Sequence, residues 1–226
     1  MKIDLADCRI FFARLRICLY CGDQPGVLEI LDNLFLWINS LSDYSLFRAV
    51  CKELNSVFAE IRARLIELNT RTGEVIDYEL YQDVFQALTS YKKLFYTLCG
   101  QLTEYYSVNS PAIVNLIQYI QNHLDEPLNL SSLGKHVHFN TSYLSHLFKQ
   151  EIGIGITTFI NELRISRACS MLESTNLSIS EISERIGFND AKYFARLFHK
   201  AANLSPSVYR HKFSTAKGGS QRGWNQ

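Results

Sequence analysis

The chain has 226 residues, of which 47% are hydrophobic and 20% charged; this is ordinary globular usage for one or two domains and excludes a disordered or collagen-like chain. No apolar run reaches the roughly 18 residues of a membrane span, and Asp4, Asp7, Arg9, Arg14 and Arg16 break up the stretch that a secretory leader would need, so the cytoplasm is the expected compartment. The net charge of +1 hides an asymmetry: residues 1–109 carry 11 Lys and Arg against 14 Asp and Glu, whereas residues 110–226 carry 12 against 8, which gives the second half the claim on a polyanion.

Proline occurs only at Pro25, Pro111, Pro127 and Pro206 and strand-like alternation is nearly absent, so the amino-terminal half is expected to be helical at 2–20, 25–39, 43–69 and 76–106. Gly22-Asp23-Gln24-Pro25, Asn39-Ser40 and Asn69-Thr70-Arg71-Thr72-Gly73 mark the breaks. Tyr81, Val84, Leu88, Tyr91, Phe95, Leu98, Leu102 and Tyr105 repeat at alternating intervals of three and four, an unbroken heptad seam that requires a partner helix. Two partners satisfy the pattern: other helices of the same chain in a bundle, or a second copy, in which case Val84, Leu88, Tyr91, Phe95, Leu98 and Leu102 form a dimer seam. Cys8, Cys18, Cys21, Cys51, Cys99 and Cys169 are scattered through helical patterns. Cys18 and Cys21 make a C-x-x-C, but no strand precedes it and the half contains no histidine, so packed reduced thiols are expected and no metal or cofactor is called for.

"SVNSPA", residues 107–112, is the expected junction, with Asn109 or Ser110 able to cap and Pro111 suited to a first helical turn. Beyond it the chain repeats itself. Leu130, Leu133, Val137, Phe139 and Asn140 recur 49 places later as Ile179, Ile182, Ile186, Phe188 and Asn189; Tyr143, Leu147 and Phe148 recur 50 places later as Tyr193, Leu197 and Phe198. The extra residue falls at 190–192, at a helix start; inside a helix it would rotate one face by about 100°.

Each copy reads as a short helix, a tight turn and a longer helix, with Asn129 or Ser131 capping the first copy, Ser178 and Glu181 opening the second, and Gly153 and Gly187 providing exits. This is the plan of a helix-turn-helix, whose second helix fits the major groove. In the longer helices Leu144, Leu147 and Phe148, and likewise Phe194, Leu197 and Phe198, must face inward. Thr141, Ser142, Ser145, His146 and Lys149 are then left outside in one copy, and Ala191, Lys192, Ala195, Arg196 and Lys200 in the other. A helix over 157–173, about 25 Å long, joins the copies and suits a spacing of about one DNA turn, roughly 34 Å.

These residues resemble the AraC/XylS family of bacterial transcription regulators. The likeness runs through "ISEISERIGFNDAKYFARLFHKAANLSPSVYR", residues 179–210, and upstream through "LSSLGKHVHFNTSYLSHLFKQEIG" and "FINELRISRACSML", covering about 112–212. Departures are Gly134 and Ser183 where the family usually has Ala, Phe159 for a usual Tyr and His199 for a usual Lys. The chain is expected to be all-α, with the amino-terminal bundle or coiled-coil-like region read above (1–109) and a flexible tail at 214–226; for 110–213 the resemblance implies two homeodomain-like helix-turn-helix subdomains joined by a linker helix. It implies double-stranded DNA as ligand, with RNA polymerase and a second copy of the chain as candidate protein partners, no membrane and the bacterial nucleoid as the place of action. Carried over position by position, base reading falls to Ser142, Ser145, His146, Ala191, Lys192, Ala195 and Arg196. Arg196 stands out because Arg can donate two parallel bonds to guanine O6 and N7. Thr141, Lys149, Arg164 and Lys200 are the phosphate candidates, while Arg210 suits an internal pairing. Residues 1–109 show no β-rich ligand-binding barrel and loosely resemble the helical connecting segments of some two-component response regulators, so their expected role is dimerisation or signal input. A competing class is a helical interaction module that forms mixed dimers and antagonises an active regulator. An enzyme is disfavoured, since no catalytic pair or nucleotide-binding loop occurs.

Overall fold

The structure, a computed structural model, describes residues 8–41, 44–67 and 84–219. Among these residues the chain is all helix, with no strand. The amino-terminal helices are α1 (Arg9–Cys21), α2 (Gln24–Leu41), α3 (Tyr44–Glu67) and α4 (Val84–Asn109). They match the segments expected from the sequence, with α4 running three residues past its expected end. Residues 1–7 and 68–83, including Tyr81 of the heptad seam, lie outside the described residues. Gly22, at φ +68°, ends α1 in the left-handed conformation, and the Asp23 carboxylate accepts from the Gly26 N–H at 2.9 Å in the first turn of α2.

α4 lies against α2, α1 and α3. Its seam is consumed inside this one chain. Tyr91 and Phe95 have no exposed surface, Leu88, Leu98 and Leu102 are buried, and Val84 is half-buried. The Tyr91 ring lies 6.0 Å from Phe35 of α2 and Phe95 meets Phe58 of α3 edge-on at 6.1 Å. The Tyr91 hydroxyl donates to the Cys51 carbonyl at 3.0 Å, with Asn55 Oδ1 3.2 Å away as an alternative acceptor. Of the two partners that the seam allows, helices of the same chain cover Leu88, Tyr91, Phe95, Leu98 and Leu102, while Val84 is half-buried. Lys92 with Asp32 (2.8 Å) and Arg16 with Glu60 (2.9 Å) add partly exposed ion pairs across the bundle, each worth at most about 1 kcal/mol.

The second group comprises α5 (Pro111–Asn122), α6 (Leu130–His136), α7 (Thr141–Ile152), α8 (Ile156–Ser174), α9 (Ile179–Arg185), α10 (Ala191–Ala202) and α11 (Pro206–Gly219). The chain divides into two compact units at Val114/Asn115, inside α5. The Ser110 N–H donates to the Tyr106 carbonyl and the Ser110 carbonyl accepts from the Ile113 and Val114 N–H groups, so the backbone is hydrogen-bonded on both sides of Pro111. α11 continues to Gly219, into the expected tail, and 220–226 lie outside the described residues.

Leu98→Asp should abolish the cooperative unfolding of the amino-terminal unit and lower the helical circular dichroism, because it places a charge where no water reaches; a fully helical variant that merely dissociates would restore the seam between chains. Burial pushes the thiols of Cys18, Cys51 and Cys99 up to about 12 from an ordinary 9.0. Raised acid groups stabilise the fold fully below their unfolded value, and that contribution is lost as pH climbs toward the folded one. The urea midpoint of this unit should accordingly be flat from pH 7 to 8.5 and fall progressively above pH 9, which denaturation at a series of pH values measures.

Candidate nucleic-acid interface

Each helix-turn-helix is assembled by local hydrogen bonds that the sequence dictates. Asn129 Oδ1 accepts from the Ser132 N–H at 2.9 Å and Ser132 Oγ accepts from the Asn129 N–H, closing a capping box at the start of α6. Ser178 and Glu181 do the same for α9, with the Glu181 carboxylate 2.7 Å from the Ser178 N–H. Hydrogen bonding by Ser178, side chain first and backbone second, holds the Glu181 carboxyl below the usual carboxylate range. Asn140 caps α7 by accepting from Tyr143 N–H, and Asp190 caps α10 by accepting from Lys192 N–H, both at 2.8 Å.

The turns superpose in logic but differ in chemistry. Phe139 N–H donates to the Gly134 carbonyl at 2.8 Å and Phe188 N–H to the Ser183 carbonyl at 3.0 Å, 49 residues on. The left-handed residue between them is His138 (φ +59°) in the first copy and Gly187 (φ +80°) in the second. A Cβ at Gly134 would lie 2.6 Å from the Phe139 carbonyl oxygen, so the turn of the first copy closes directly onto this glycine. Ser183 carries its Cβ in the equivalent place and sets its hydroxyl 3.5 Å from the Phe188 carbonyl.

Above this support α7 and α10 present the same profile. Leu144 and Phe148, and Phe194 and Phe198, are fully buried, whereas Leu147 and Leu197 are half-buried at the edge of the face. Thr141, Ser142, His146 and Lys149 are exposed on α7 with Ser145 half-buried; Ala191, Lys192, Arg196 and Lys200 are exposed on α10 with Ala195 half-buried. All the sequence-derived candidates on these two helices thus gather on the two outward faces. Two further side chains join them that sequence reasoning passed over. Tyr143 is 50% and Tyr193 42% exposed, each edge-on to the phenylalanine of its own turn, Phe139 at 4.9 Å and Phe188 at 6.0 Å. The recurrence of Tyr at an offset of 50 was visible; its outward orientation follows only from the register set by Asn140 and Asp190.

Arg164, a phosphate candidate by sequence, is instead 9% exposed and occupied from within. Its Nε donates to the Leu124 carbonyl at 3.0 Å and its Nη2 to the Glu126 carbonyl at 2.8 Å, while Cζ stands 5.3 Å from the centre of the Phe188 ring. Desolvation lowers the guanidinium pKa and Asp125 opposes that shift. The signal was present: Arg164 sits four residues after Ile160 and four before Ala168, both buried, in the middle of an apolar row of α8. Gly187 completes the joint, since a Cβ there would lie 2.2 Å from the Leu124 carbonyl oxygen and 2.6 Å from Arg164 Nη2. Arg210 likewise turns inward, Nη2 donating to the Leu177 carbonyl, and Tyr209 donates to buried Glu173 at 2.5 Å.

The repeat also reaches further than two helices. Gly153 and Asn203, 50 apart, both end their helices with positive φ, and Phe148 with Phe159 and Phe198 with Tyr209 make edge-on pairs at an identical 5.3 Å. α8 is therefore the third helix of the first copy as well as the link to the second, and α11 is its counterpart.

Two three-helix units, each holding a polar helix outward, define a tandem helix-turn-helix DNA-binding domain. A helix-turn-helix domain family (HTH_18) matches residues 133–212. The HTH-type transcriptional regulator YfiF of Bacillus subtilis is 35% identical over 109 residues, 48% of this chain and 34% of that protein. The arabinose operon regulatory protein of Salmonella typhimurium is 39% identical over 94 residues, 41% of this chain and 34% of that protein. Among solved structures, the C-terminal domain of AraT, a response regulator from Geobacillus stearothermophilus, is 38% identical, covering 45% of this chain and 85% of that one with a TM-score of 0.44. Residues 133–212 are therefore a helix-turn-helix domain like that of the arabinose operon regulatory protein. The chain spans about a third of the length of the curated relatives it matches.

Gly187→Ala should be severely destabilising, by several kcal/mol, because left-handed strain adds to a clash with a backbone carbonyl. His138→Gly, at the equivalent turn, should change stability by no more than about 1 kcal/mol and in the stabilising direction. Thermal melts of the two variants check the contrast; equal effects would contradict the asymmetry of the turns.

Proposed function

We propose that this chain is a sequence-specific DNA-binding regulator of transcription that lays α7 and α10 in successive segments of the major groove. The observation that carries this reading is the duplicated outward face: on both helices polar or basic side chains stand over a fully buried ridge, at matching positions of a repeated support. Ser142, Ser145 and His146, with Ala191, Lys192, Ala195 and Arg196, are placed to meet base edges, and Thr141, Lys149 and Lys200 to meet phosphates. Arg164 has no part in the interface and serves the fold instead.

The two faces are unequal in this reading. α7 offers hydroxyls and one imidazole, suited to several weak contacts, whereas α10 offers Lys192, Arg196 and Lys200 and supplies most of the electrostatic attraction and the sharpest base preference. A second copy of the chain and RNA polymerase are the protein partners in this proposal, and the bacterial nucleoid the place of action. With the α4 seam spent inside the bundle, self-association would use another surface of residues 1–109.

Selection from random DNA followed by titration of the enriched fragment at several salt concentrations tests the reading. A defined site should emerge, with affinity falling steeply as salt rises. Arg196→Ala should cost about 1–3 kcal/mol of discrimination at one base pair, and Lys200→Ala should lower the salt slope by about 1 with preference unchanged. Equal binding to every fragment, or to none, would overturn it.

A further inference from the structure

Arg196 does not stand free on α10. Its Cζ lies 5.7 Å from the centre of the exposed Tyr193 ring, one helical turn earlier. Tyr193 is in turn edge-on to Phe188 at 6.0 Å, and Phe188 is covered on its other contact by the buried Arg164 guanidinium at 5.3 Å. The four side chains alternate cation, ring, ring, cation, leading from a guanidinium fixed by the backbone carbonyls of Leu124 and Glu126 to one at the outward face. The first copy has the ring pair, Phe139 with Tyr143, but His146 at the place of Arg196.

We infer that Tyr193 is a positioning residue for base recognition: its ring holds the Arg196 guanidinium in the forked orientation that guanine O6 and N7 accept. This rests on the DNA-binding reading proposed above and deepens it, by assigning to a residue that need not itself touch a base part of the preference for guanine under α10. The physical reason is entropic and electrostatic together. An exposed arginine samples many rotamers, and each is lost on forming a bidentate pair. A ring within about 6 Å attracts the guanidinium toward its negative face and confines it before DNA arrives. Because the Tyr193 ring is itself set by Phe188, and Phe188 by Arg164, the confinement is referred to the most tightly held point of the domain.

The test compares four 226-residue chains, wild type, Arg196→Ala, Tyr193→Ala and Tyr193→Phe, on the fragment selected by the wild type and on fragments carrying each substitution at the base pair where Arg196→Ala loses discrimination. Tyr193→Phe keeps the ring and should keep the wild-type ratio. Tyr193→Ala should lower that ratio roughly two- to fivefold with the salt slope near wild type, any loss of affinity or stability common to all fragments cancelling in the ratio. Retention of the full ratio by Tyr193→Ala, while the wild type discriminates and Arg196→Ala does not, would overturn the positioning role alone. An equal loss in Tyr193→Phe and Tyr193→Ala would overturn it too, by assigning the effect to the hydroxyl. A wild-type chain that selects no sequence would instead remove the DNA-binding reading and this inference with it, a result distinguishable because it appears before any variant is made.

Discussion

The carboxyl-terminal unit depends on a charge taken out of water and spent on two backbone carbonyls. Arg164 reaches from the middle of α8 to the loop after α5, and the carbonyls of Leu124 and Glu126 that it binds would otherwise lack helical partners. The same guanidinium covers Phe188, the residue that shapes the second turn, while Gly187 comes close enough to leave no room for a side chain. Loop, linker helix and second helix-turn-helix are thereby referred to one point. An uncharged side chain of similar length would fill the space and leave the carbonyls unmet, which is the costlier half of losing a buried hydrogen bond. Lysine would supply the charge without the fork.

Around that point the two copies have diverged in a consistent direction. The first closes its turn onto Gly134 and tolerates a left-handed histidine; the second has Ser183 and Gly187, a turn without strain at the left-handed residue, and an aromatic series running through Phe188, Phe194, Phe198, Tyr209 and Phe213. The more strongly cationic helix, α10, sits on the more aromatic support. A side chain that is to make a directional contact gains from a base that does not yield, whereas the short hydroxyls of α7 have little rotamer freedom to lose.

Much of the fold was legible because its signals are local. Capping at Ser178 with Glu181 and the exit at Gly187 follow from backbone chemistry within four positions, and the structure has them where the sequence puts them; the extra residue expected at 190–192 falls earlier, at Asn189, because Phe139 and Phe188 are equivalent in the turns and Asn140 and Asp190 are the equivalent caps. The outward faces of α7 and α10 were legible from the burial of Leu144 and Phe148 and of Phe194 and Phe198. What failed was non-local. The heptads of α4 specify that a partner helix exists but not whether it belongs to the same chain, and three other helices of this chain take the place. Arg164 was misassigned because charge suggests the surface, although its neighbours Ile160 and Ala168 argued otherwise. The third helix of each repeat escaped notice because the pairs Gly153 with Asn203 and Phe159 with Tyr209 conserve geometry rather than identity.

α8 belongs to both halves of the repeat, packing on α7 and also on α9, α10 and α11, and its nineteen residues contain neither glycine nor proline. A joint of that kind is a ruler, not a hinge. On a duplex each added base pair turns the next groove segment by about 35° around the axis, and a stiff spacer has no means of following it. Under the proposed mode of binding, the distance between the two read segments is then a property of the polypeptide, and the DNA must supply whatever bending or twisting the match requires.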